Sequence, residues 1–197
     1  MHVLTDILGS IFIGGLVLLL HFGLVSRMNY VSTDMLLSNL NGSNTVELSS
    51  IVEYDFNKIA YRDTTNIVFE SATKHSIKFK AGVSIDSLPK TIYYYLDTTK
   101  QIKGTENPND RALYRQVSGK SVELIGIVTE FTLNYLDSSY TPMNYSTLLT
   151  QAGRDKIKGI DVYLKVESSC LPPSDETGGE EIYPFVEWRK TIYPKNL

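Results

Sequence analysis

The sequence predicts an α+β fold: a long N-terminal helix, a short second helix and an antiparallel β-sheet. Three observations carry that reading. Ile7 to Val25 is an unbroken run of 19 residues without acid, lysine, arginine or proline. An apolar stripe with helical spacing continues beyond it. After Asp63 the apolar period changes from 3.6 residues to 2, the mark of strands with one buried face.

At ~1.5 Å per residue the first run makes a helix of ~29 Å, about the hydrocarbon thickness of a bilayer. The preceding MHVLTD holds no lysine or arginine, and LVSRMNY offers no small-x-small cleavage site. The run therefore reads as a retained anchor rather than a cleaved signal. Its glycines Gly14 and Gly15, with Gly9 and Ser10, allow close approach of neighbouring backbones. His21, near the far end, is placed to reach the interface. Arg27 is the one base close to the run, and by charge bias alone it favours a cytoplasmic location for the residues C-terminal to it.

Past Val25, Met28, Val31, Met35, Leu36 and Leu40 recur mostly three or four residues apart. They predict a continuous helix from about Asp6 to Asn41, ~54 Å long, whose second half packs this stripe on a folded domain. Asn41-Gly42 predicts a left-handed stop. Residues 1–27 then form the membrane or filament-core segment, and residues 28–197 an α+β domain with its own core. Removing residues 1–27 is expected to leave that domain folded, and removing the chain through Leu40 to destabilise it.

Asn44-Thr-Val-Glu47 and Ser50-Ile-Val-Glu53 both resemble capping boxes. With Leu48, Ile51, Val52, Phe56 and Ile59 striping one face, they predict a second helix ending near Ala60. Strands come next. Ile77, Phe79 and Ala81 alternate with lysines, and Ile92, Tyr94 and Leu96 alternate within TIYYYL. Phe131, Leu133 and Tyr135 alternate within TEFTLNYL, and Ile160, Val162, Leu164 and Val166 alternate without fault. One-sided burial of this kind points to antiparallel pairing. KGTENPNDR (Lys103 to Arg111) separates TIYYYL from RALYRQV. DSSYTPMNYS leads to a short helix near Thr147 to Gln151, and LPPSDETGGEE (Leu171 to Glu181) is the most loop-like stretch. Phe185 to Ile192 closes the chain as a strand that flanking prolines confine to an edge.

Composition narrows function mainly by exclusion. Net charge is −3, and no basic block exceeds two residues. Nucleic acid, which needs a concentrated positive footprint, is excluded as a partner. Thirteen tyrosines and seven phenylalanines suit pleated, half-buried surfaces. The single cysteine, Cys170, cannot form an internal disulfide and reads as a small, at least half-buried apolar residue. Of the three histidines, His75 reads as a solvated strand-edge residue. There is no zinc spacing, phosphate loop or nucleophile elbow, so no catalytic residue, metal site or cofactor is expected. Two acidic stretches, Glu106 to Asp110 and Asp175-Glu176 with Glu180-Glu181, offer oxygens of the kind calcium takes. Both lack a regular ligand spacing and read as solvated turns.

Taken in order, these features resemble the type IV pilin and pseudopilin family, over essentially the whole chain. Glu53 to Arg62 (EYDFNKIAYR) resembles the acidic-aromatic stretch ending in -GYR- of prepilin-like minor subunits, with Ala60 in place of the glycine. TIYYYL, NPNDRALYRQ (Asn107 to Gln116) and GIVTEFTLNYLD (Gly126 to Asp137) resemble the succession in minor pilins and J-type pseudopilins. The close WRKTIYPKNL is similar to theirs. The family's basic leader, its terminal glycine and its leading phenylalanine have no counterpart here. Counting His2 as first nevertheless puts Asp6 fifth, where the family carries a glutamate.

The resemblance implies a non-catalytic subunit that assembles through its N-terminal helix into a type IV pilus-like filament or secretion pseudopilus. Asp6, Gly14 and Gly15 would serve assembly, Asp6 by meeting a neighbour's terminal amine. The implied partners are membrane lipid before assembly, other pilin-like subunits and an inner-membrane assembly platform. The implied location is a single-pass bacterial inner-membrane protein with its C-terminal domain in the periplasm, extracellular once assembled. The alternative is a membrane-anchored extracytoplasmic binding domain or adhesin, presenting the loops at 103–111 and 171–181.

Overall fold

A computed structural model describes residues 2–63, 67–82, 89–171 and 183–197. The acidic stretch Asp175 to Glu181 lies outside the described residues.

The first element corrects the expected stop at Asn41-Gly42. Helix α1 runs from His2 to Asn57 as one unit of 56 residues, about 84 Å at the helical rise. The separate second helix expected at 44–60 is its continuation. The reason lies in phase: Asn41, Thr45, Leu48, Ser49, Val52, Asp55 and Phe56 are all buried and keep to one side of the helix. One seam therefore runs straight through the Asn-Gly pair, and its burial outweighs the local turn preference. The Ser50 hydroxyl, expected to cap a new helix, bonds backwards instead. It donates to the Val46 carbonyl at 2.7 Å, and its neighbour Ser49, which is not an expected cap, does so at 2.9 Å, a pattern a helix interior tolerates.

The helix ends where the Lys58 and Ile59 amides donate to the Asp55 and Phe56 carbonyls, in a tightened last turn. Ala60 then takes a left-handed φ of 59°, and its amide donates to the Lys80 carbonyl at 3.0 Å. The chain next enters two antiparallel sheets. The first contains β1 (Phe69–Ala72), β2 (Ser76–Ala81), β3 (Lys90–Leu96), β4 (Arg111–Val117) and β5 (Val122–Val128), in sequential order. The second contains β6 (Glu130–Leu136), β7 (Gly159–Glu167) and β8 (Phe185–Ile192), also in order. Only Thr129 separates β5 from β6, so one extended stretch leaves one sheet and enters the other. A 3-10 turn at Thr147–Leu149 and a short helix, α2 (Gln151–Arg154), fill the β6–β7 connection. β8 lies at a sheet edge, between Pro184 and Pro194, where a missing amide donor costs no ladder bond.

The alternating residues form the core. Ile77, Phe79, Ile92, Tyr94, Phe131, Leu133, Tyr135, Ile160, Val162 and Leu164 are essentially inaccessible. Phe56 brings α1 into it, meeting Phe79 and Tyr94 edge-on at centroid distances of 5.4 and 5.5 Å. This edge-to-face geometry adds specificity to the area buried. Sequence periodicity leaves β1 and β5 faint. β1 has four residues, and β5 exposes Val122 and Leu124 beside an irregularity in its pairing with β4.

Three further expectations are corrected. His75 is half-buried, and its Nδ1 meets the Phe131 carbonyl at 2.8 Å. Cys170 is exposed, because it lies beyond the end of β7, where the chain leaves the sheet. The turn at 106–110 is built into the fold, with Asn107 and Asp110 fully buried beneath residues from the end of β7.

Candidate assembly interface

Helix α1 divides into two parts. No residue from Val3 to Leu40 is buried, whereas Asn41 begins the buried seam. Among the described residues one helix is long and apolar enough to cross a membrane, and it is this one. Apolar side chains at Ile11, Phe12, Leu19, Leu20 and Phe22 each expose about two thirds or more of their surface. Contiguous apolar exposure on that scale marks a surface that some apolar environment must cover.

Met28, Val31, Met35, Leu36 and Leu40 do not pack on the body of the protein, which corrects their expected role. Met28, Met35, Leu36 and Leu40 are each more than half exposed, and Val31 nearly so. Angular position gives the reason. Leu37, half-buried, leads into the seam through Asn41. At ~100° per residue, Met28, Val31 and Met35 lie ~120–180° around the helix from it. They continue the outward face of the apolar run, and with Leu20, Gly23 and Leu24 they line one shallow apolar groove. Leu36 and Leu40 flank the seam without entering it.

The expected assembly residues lie on the free portion. Asp6 is exposed within the helix, and its carbonyl accepts the Ser10 hydroxyl at 2.8 Å. A side chain added at Gly14 or Gly15 would meet nothing within 4 Å, so both glycines present open backbone.

What holds the helix is polar as well as apolar, and periodicity does not single it out. Asp55 is 2% exposed. Its carboxylate accepts the Tyr94 hydroxyl at 2.6 Å and the Arg115 guanidinium through Nε at 2.6 Å and Nη2 at 3.2 Å. Burial raises the Tyr94 hydroxyl well above its usual range, and the adjoining Asp55 charge adds to the shift. For Arg115, burial works against the charge, but the Asp55 bonds and charge raise its pKa above the ordinary arginine value. At a second point Lys190 of β8 pairs with Glu53 at 2.5 Å, and Asn41 donates to the Pro184 carbonyl at 3.1 Å. The C-terminal part of α1 is thus clamped to both sheets, and the part before Asn41 projects.

The loop before β4 is equally built. The Glu106 amide donates to the Ser169 carbonyl at 2.9 Å. Asn107 donates to Glu167 at 2.9 Å and to the Ser168 carbonyl at 3.2 Å. Its own side-chain oxygen accepts the Asn109 amide at 2.9 Å. Burial raises the pKa of the Asp110 carboxyl, and the nearby Thr105 and Ser169 hydroxyls offset only part of that rise.

Comparison with family models, characterised proteins and solved structures gives no match.

Proposed function

We propose that this protein is a minor pilin or minor pseudopilin subunit, inserted in a membrane as a monomer and assembled through α1 into a pilus-like filament or secretion pseudopilus. The observation that carries this reading is the division of α1. The segment from Asn41 to Asn57 docks on the sheets, and before it, from Val3 to Leu40, no residue is buried and the helix is a largely apolar rod.

In lipid the rod is solvated by acyl chains. Once extracted it must bury its surface against equivalent helices, and the open backbone at Gly14 and Gly15 favours close helix contact. The outward seam of Leu20, Leu24, Met28, Val31 and Met35 extends that contact beyond the bilayer. The resemblance of the sheet segments to minor and J-type subunits supports a priming or tip role, with other pilin-like subunits and an inner-membrane platform as partners. The folded body then lies in the periplasm, against the weak charge bias of Arg27.

Asp6 gives the test. Its carboxylate lies on the free rod, away from the core, so Asp6→Ala should leave the monomer inserted and folded. In a filament core the same carboxylate would meet a neighbour's amine, where breaking a buried pair costs ~3–5 kcal/mol. The variant should therefore lose co-purification with neighbouring pilin-like subunits. Recovery of those subunits at wild-type yield would show that Asp6 has no assembly role. A stable wild-type monomer after mild detergent extraction would favour the anchored binding domain instead.

A further inference from the structure

Strand β5 is an open end of the first sheet. Among the described residues it pairs with β4 alone, so the backbone groups along its other edge are available to a further strand. Its C-terminal half is closed off. A side chain at Gly126 would meet the Leu48 methyl carbons at 2.7 Å, and the register leaves Ile125 without a partner on β4. The open stretch is therefore Val122 to Ile125. Directly opposed residues share a face, and one row crosses the outer face from Tyr95 through Tyr114 to Leu124. The Tyr93, Tyr95 and Tyr114 rings stack at 4.8 and 5.1 Å, and the row stops at Leu124, which is 53% exposed. On the inner face β5 and α1 border a groove of about 460 Å³, lined by Ile51, Tyr54, Arg115, Glu123 and Ile125. The Glu123 side chain is 65% exposed there, and the base beside it, Arg115, is 3.6 Å away with its shorter bonds given to Asp55. Lys58 is drawn over the Tyr54 ring, 3.8 Å from its centroid.

We propose that β5 takes a strand from another protein: an extended segment that alternates apolar and basic residues and pairs along Val122 to Ile125. Backbone bonds complete the edge, and an apolar side chain extends the Tyr95–Tyr114–Leu124 row. On the alternate face a lysine or arginine enters the groove beside Glu123. Charge decides between occupants. Two copies joined β5 to β5 would bring both Glu123 carboxylates into one groove, while the Arg115 guanidinium beside each is committed to Asp55. Like charges across a strand pair destabilise it. The same carboxylate therefore guards the edge against indiscriminate pairing and admits a basic strand. This surface belongs to the folded body, and its occupant is distinct from the helices that meet the projecting part of α1.

The test uses the full chain in neutral detergent at low salt, where exposed charges are least screened. The probes are blocked heptapeptides that alternate valine with lysine, glutamate or serine. The lysine peptide should bind saturably and about tenfold more tightly than the glutamate peptide, with the serine peptide between them. Glu123→Lys should reverse that order and Glu123→Gln abolish it, while Leu124→Ser should weaken the lysine peptide about threefold. Both positions are exposed, so all three variants should melt as the wild type does. Strand pairing uses the amides of alternate residues. Methylating the backbone nitrogens of the valines, or instead of the lysines, should therefore abolish binding in one case and spare it in the other. No saturation by about 1 mM lysine peptide, equal affinity for the three peptides, or full binding by both methylated forms would overturn the proposal. Efficient disulfide formation between two Leu124→Cys chains in a Cys170→Ser background would overturn it in favour of a second copy. None of these outcomes bears on assembly through α1.

Discussion

At the scale of single residues, the end of α1 is held by a compromise. Ala60 occupies a left-handed conformation that costs an L-residue about 1–2 kcal/mol, and its amide bond to Lys80 locks it there. Glycine avoids that cost but has more freedom to lose, about 0.5–1 kcal/mol. Ala60→Gly should therefore stabilise the full chain in detergent by up to about 1 kcal/mol, read as a higher urea midpoint at unchanged slope. A lower midpoint would mean that the half-buried Ala60 methyl group contributes more packing than the backbone loses in strain. The resemblance to a -GYR- ending marks this position in the sequence, but the left-handed backbone that gives glycine its advantage is visible only in the fold. Asn107 and Asp110 are less legible. Their surroundings read as a solvated turn, and the residues that cover them, Glu167 to Ser169, lie far along the chain.

At the scale of elements, α1 shows where local signals mislead. Asn41-Gly42 and two capping boxes argue for two helices, and a buried seam in constant phase makes one. Gly42 is helical, and a side chain there would meet nothing within 4 Å. Gly42→Ala should raise stability by about 0.5–1 kcal/mol through helix propensity alone, measured by thermal melting. A loss of stability would indicate that the chain bends at this point. The strands β2, β3, β6 and β7 are legible because each buries one face and alternates accordingly, and β8 because prolines bracket it. Their division into two sheets is not, since it depends on the single-residue passage at Thr129 and on pairings between distant segments. The stripe from Met28 to Leu40 is legible as apolar, but its spacing alone does not say whether it faces the body or a partner.

At the scale of the whole molecule, the exposure of that stripe reverses one expectation. Removing residues 1–40 takes away no buried side chain among those described, so the remainder should stay folded and become soluble. Circular dichroism should show a β-rich spectrum and a cooperative melt. Extending the deletion through Leu48 removes Asn41, Thr45 and Leu48 from the seam, and Leu48 alone is worth ~1.5–3 kcal/mol. That longer truncation should melt earlier. If the shorter one is already disordered, the rod supports the fold as well as projecting from it.

Assembly through α1 requires that the helices of neighbouring subunits cover its projecting face. Photo-cross-linking in native membranes tests this most directly, with a thiol-reactive benzophenone, which needs no cysteine on the partner, attached at Met28→Cys, Val31→Cys or Met35→Cys singly in a Cys170→Ser background. Lys120→Cys, at an exposed position on the sheet body, serves as the control. Cross-linked species with pilin-like subunits are expected from the three helix positions and none from position 120. Monomer alone at all three helix positions would contradict assembly through this face.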